Sequence, residues 1–93
     1  MPTQWDIENP DKIIFEPPLY EKAKRRKVIL MDRKGWLIEG IGLFFKDGYL
    51  KLEIPTALRV VNRPELGNHS FAVSERAQEV LRLKILEQMR ADA

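Results

Sequence analysis

Cysteine is absent from this chain of 93 residues, and histidine occurs once. The missing thiols exclude disulfide scaffolds, thiolate zinc sites, iron–sulfur clusters and thiol nucleophiles together, and they fit a reducing compartment such as the cytoplasm. The one histidine, His69, would need carboxylates for every other ligand of a metal site, or Ser, Asp or Glu from other segments for a triad. Its neighbours Gly67, Asn68 and Ser70 place it on an exposed loop instead. Glycine is also scarce: Gly40-Ile41-Gly42 lacks the third glycine and the strand-to-helix setting that would cradle a pyrophosphate. No apolar run approaches the roughly 20 residues that span a bilayer, and Met1-Pro2-Thr3-Gln4-Trp5-Asp6 lacks the basic-then-hydrophobic order of a signal peptide. A soluble cytoplasmic protein without a membrane partner is expected.

An excess of one charge is missing as well. Lys and Arg number 16 against 14 for Asp and Glu, a net charge of +2 that does not by itself announce a nucleic-acid binder. Distribution says more than the total, because Lys22, Lys24, Arg25, Arg26 and Lys27 crowd one segment while the acids are scattered. One local basic patch follows.

What is present is a β-hairpin over residues 41–54. Asp47-Gly48 supplies the positive φ angles of a two-residue turn. Closure there sets Phe45 opposite Leu50, Leu43 opposite Leu52 and Ile41 opposite Ile54, which alternation gathers on one buried face. The other face carries Lys46, Phe44 and Gly42 across from Tyr49, Lys51 and Glu53, a mixture of charge and aromatic rings where function would sit. Upstream, residues 27–32 and 36–39 read as further strands around a turn at Arg33-Lys34-Gly35. Strict alternation back from Ile41 would bury Glu39 and expose Trp36 and Ile38. A bulge at Gly40 or Gly42 reverses that parity.

Four of the six prolines fall in residues 1–20, an extended arm or short edge strand in which 12–16 is the strand candidate and Trp5 and Ile7 fasten the end. Residues 58–61 continue the meander of 27–61, and 62–73 has the composition of a loop. Ser74 is an N-cap for a helix over about 75–90, within the segment 74–91. Its stripe of Ala77, Val80, Leu81, Ile85 and Met89 packs on the sheet, whereas Leu83 and Leu86, near Arg90, face elsewhere and offer a contact for a partner or a second copy. The expected fold is α+β: a single domain with a small antiparallel sheet of three to five strands, packed against one C-terminal helix.

Function is expected to be binding and not catalysis, with no cofactor and no metal. Glu39 and Glu53 on the outer face are the minimum for acid–base work, but solvated strand glutamates beside lysines account for them. The leading expectation is a non-enzymatic interaction protein that meets a macromolecular partner, foremost a protein, through its sheet face or its helix, with homodimerisation through Leu83, Leu86 and Arg90. The alternative is a nucleic-acid-binding module in which Lys22, Lys24, Arg25, Arg26 and Lys27 neutralise phosphates while Phe44, Lys46, Tyr49 and Lys51 offer stacking and further charge. An inhibitor of a nucleic-acid-processing enzyme combines the two.

Overall fold

The turn at Asp47-Gly48 sets the architecture in the computed structural model, which describes residues 7–67 and 69–92. Asp47 and Gly48 take φ of 53° and 79°, the positive pair that this turn requires. They join β3 (Leu37–Lys46) to β4 (Tyr49–Glu53) in the expected register, with Leu43 opposite Leu52 and Phe45 opposite Leu50. The other strands are β1 (Lys12–Glu16), β2 (Arg25–Met31), β5 (Ala57–Val60) and β6 (Ser70–Ala72), followed by helix α1 (Glu75–Ala91). The result is an α+β fold: a six-stranded antiparallel sheet in the order β1-β2-β3-β5-β6, with β4 also on β3, and one C-terminal helix.

β3 is the hub, because its long flank pairs with β2 while its other flank is shared by two partners in succession. β4 leaves it at Gly42, and β5 joins it at Glu39. The junction holds the expected bulge: Val28 faces Ile41 but Leu30 faces Ile38, so Glu39 and Gly40 oppose Ile29 alone. Gly40 sits there at φ 134°, and a Cβ on it would lie 2.9 Å from Leu58 Cδ2 and 3.5 Å from Pro55 Cγ. The extra residue delivers Ile38 to the core, fully buried, and leaves Glu39 only half-buried. Trp36 packs against the same core from its edge.

The core lies between the sheet and α1 and joins Phe15, Val28, Leu30, Ile38, Ile41, Leu43, Leu58 and Val60 to Ala77, Leu81 and Ile85. Ser74 Oγ accepts from the Ala77 N–H at 3.1 Å, so the expected cap opens the helix. Met89 is half-buried against the core and Val80 is half-buried. Arg82 Nη1 donates to the Leu52 carbonyl at 3.0 Å and ties α1 to β4. Ile7 packs on the core as expected; its companion Trp5 lies outside the described residues. The arm is further tied to the helix by Lys84 Nζ, which donates to the Glu8 carbonyl and Asn9 Oδ1.

Three expectations are corrected. Phe45 and Leu50 face the core side but are 56% and 43% exposed, because the hairpin runs past the reach of α1. The segment 62–73 is not all loop. It holds a 3-10 turn at Pro64–Leu66 and then β6, which pairs with β5 through Ala57↔Ala72, Leu58↔Phe71 and Arg59↔Ser70. β2 also begins at Arg25, two residues before the expected Lys27, and this changes where the basic residues go.

Candidate functional site

Because Arg25, Arg26 and Lys27 belong to a strand, alternation sends them to opposite faces. Arg25 pairs with Phe44 and Lys27 with Gly42, on the outer face away from α1; Arg26 pairs with Leu43, on the core side. The Lys24 carbonyl accepts from the Phe45 N–H at 2.8 Å, which extends the ladder and puts Lys24 on the core side with Arg26. The single basic patch expected from the sequence is therefore two groups back to back.

Arg26 serves its own loop. Its Nη1 donates to the Ala23 carbonyl at 3.0 Å, and Nη2 reaches the carbonyls of Pro18, Leu19 and Glu21. A guanidinium engaged in this way is a staple for residues 18–23 and has little left for a ligand. Beside it, Leu19, Tyr20, Lys22, Lys24 and Phe45 line an open depression of about 660 Å³. Tyr20 is 87% exposed, and Leu50 stands across from Phe45. Tyr49, 77% exposed, lies on the other side of the same hairpin. Of the seven exposed large hydrophobic residues among those described, Tyr20, Phe45 and Leu50 thus fall on the core side of the hairpin end beside Lys22 and Lys24, and Tyr49 stands on its outer side with Lys46.

The outer face carries a second feature, an open groove of about 830 Å³ across the sheet. One row runs Glu16–Lys27–Gly42–Glu53 over four strands, and the next runs Arg25–Phe44–Lys51. Beyond the bulge, Glu39 pairs with Arg59. Gly42 is the bare centre: a Cβ there would meet Phe44 Cε2 at 2.8 Å and Cζ at 2.9 Å, so the ring lies over the glycine. On that ring rests Arg25, its Cζ 4.9 Å from the centroid. Lys51 and Glu53 pair at 3.5 Å, whereas Arg25, Lys27, Arg59, Glu16 and Glu39 take part in no ion pair among the described residues.

The remaining candidates are placed as follows. Leu83 is 61% exposed and Arg90 exposed, while Leu86, on the same outward side of α1, is half-buried. His69 is exposed and meets Phe71 edge-on at 4.9 Å between centroids. Among the described residues no three His, Asp or Glu side chains group so as to hold a metal ion. No helix among the described residues is long and apolar enough to cross a membrane. Comparison with protein-family models, curated proteins and solved structures yields no match.

The outer-face mixture was legible from alternation, but the groove depended on Arg59, Pro55 and Glu16, which only the pairing of distant strands brings beside Gly42. The hairpin end was missed for a related reason. Periodicity states which face a side chain takes and is silent on how far the covering helix extends.

Proposed function

We propose that this chain is a non-enzymatic binding module that meets a protein partner through the hairpin end of its sheet. One observation carries the reading: three large apolar side chains, Tyr20, Phe45 and Leu50, are exposed on one side of the hairpin end, beside Lys22 and Lys24. Aromatic centres with polar rims are the composition of protein interfaces, and clustered apolar exposure is uncommon on surfaces that meet only water. The helix face supports a partner less, since Leu83 stands exposed with only the half-buried Leu86 beside it.

Nucleic acid is the second reading, favoured by Arg25, Lys27, Lys46 and Lys51 sharing the outer face with Phe44 and Tyr49. Two features weigh against it. The Phe44 ring is occupied by Gly42 beneath and Arg25 above, so that ring offers no free face to a base, and Glu16, Glu39 and Glu53 line the same groove.

The test is affinity capture from nuclease-treated extract of cells that carry the chain. A protein retained by the wild type is lost by Phe45→Ser with Leu50→Ser and kept by Leu83→Glu with Leu86→Glu. Retention that disappears with nuclease treatment, or that follows the helix variant, overturns the reading.

A further inference from the structure

The hairpin end leaves the outer-face groove without a role, and the groove sets Arg25, Lys27 and Arg59 around a bare glycine. We propose that it binds the carboxylates of an acidic, extended protein segment, with Arg25 as anchor and Lys27 and Arg59 as supporting cations.

Arg25 is pre-set for this. Its guanidinium rests on Phe44, the ring is seated on a glycine that admits no side chain beneath it, and the donors of Arg25 are spent on no hydrogen bond or ion pair among the described residues. A stacked guanidinium keeps its in-plane fork for a planar carboxylate, and little side-chain freedom is lost when the pair forms. Lys27 follows on the same face of β2, about 7 Å along the strand. That spacing equals the distance between alternate side chains of an extended peptide, so two carboxylates one residue apart reach both cations. Arg59 extends the cationic side past the bulge.

The groove also selects the kind of anion. Glu16, Glu39 and Glu53 stand among the cations, and Glu53 engages Lys51 at 3.5 Å. A nucleic-acid strand brings a charge with every nucleotide and would set phosphates against these carboxylates. A peptide places its acids singly and can turn amides or cations toward Glu16 and Glu39. Like-charge juxtaposition is an effective filter of this sort. The site lies on the face opposite the Phe45 depression and stands or falls apart from it.

The test is NMR titration of isotope-labelled full chain with acetyl-Gly-Asp-Ser-Asp-Gly-amide, its Asn-for-Asp counterpart and an oligothymidylate. The Asp peptide is expected to give saturable shifts at the Arg25 side-chain N–H and the Lys27, Gly42 and Arg59 amides, and the Asn peptide none. Arg25→Ala lowers affinity about tenfold, the worth of one charge-assisted pair. Arg25→Lys restores only part of it, and Phe45→Ser leaves it unchanged. Gly42→Ala, which dislodges the Phe44 ring, weakens binding with Arg25 intact. Absence of saturable shifts, shifts centred on the hairpin end, an unaltered affinity in Arg25→Ala, or tighter binding of the oligothymidylate would each overturn the proposal.

Discussion

Glycines at two positions of this chain do different work, and their substitutions separate backbone strain from crowding. Gly35 has φ 81° with open space around it, so Gly35→Ala is expected to cost only the left-handed penalty, about 1 kcal/mol. Gly40 has φ 134° and would bring a Cβ within 2.9 Å of Leu58 Cδ2. Gly40→Ala adds a clash with a fully buried leucine to a conformation that L residues avoid, and a loss of about 2–4 kcal/mol is expected. Urea unfolding of the two variants checks the order, and equal losses would contradict the role given to the bulge. The sequence marked Gly40 or Gly42 for that bulge because Glu39 had to leave the core. It could not choose between them, since the reason for Gly42 is the Phe44 ring lying over it, a local fold-back that alternation does not encode.

Among the elements, α1 was the most legible. A capping serine, an acid in the first turn and no glycine or proline as far as Ala91 mark its course, and the spacing of Ala77, Leu81 and Ile85 marks its buried stripe. Truncation should follow the stripe. Ile85→Ala is expected to cost about 2–5 kcal/mol, Ser74→Ala about 1 kcal/mol and Leu83→Ala less than about 0.5 kcal/mol in chemical denaturation. A loss at Leu83 comparable to that at Ile85 would mean that the outward side of the helix is covered. β6 was illegible for the opposite reason. It has three residues, Ser-Phe-Ala, too few to show a period, and it exists because β5 offers an edge for Ala57, Leu58 and Arg59 to pair. β2 was legible as a strand but not in its start. Cations are as compatible with a strand end as with a loop, and the two extra residues put Arg25 opposite Phe44 and Arg26 opposite Leu43.

At the scale of the molecule, the chain separates a well-covered body from a bare end. The helix reaches β4 as far as Leu52, where Arg82 is bonded to its carbonyl, and the hairpin continues without cover. Composition and net charge describe both parts together and so concealed the contrast: the mean hydropathy of −0.35 averages the covered body and the bare end. A solution consequence follows. Phe45→Ser with Leu50→Ser should leave the unfolding midpoint within a few degrees of wild type, since neither side chain is buried, while lowering retention on a hydrophobic-interaction column. A large drop in the midpoint would place both residues in the core after all.

Arg82 has one more consequence. Among the described residues β4 pairs with β3 alone, and a bare ladder flank invites a neighbouring molecule to dock its own backbone there and continue outward as a fibre. By occupying the Leu52 oxygen, a single cation from α1 takes up one of the acceptors such growth would use. Arg82→Leu is therefore expected to shorten the lag before thioflavin-positive fibrils form on agitation. A lag as long as that of the parent chain would mean that the flank is protected by other means.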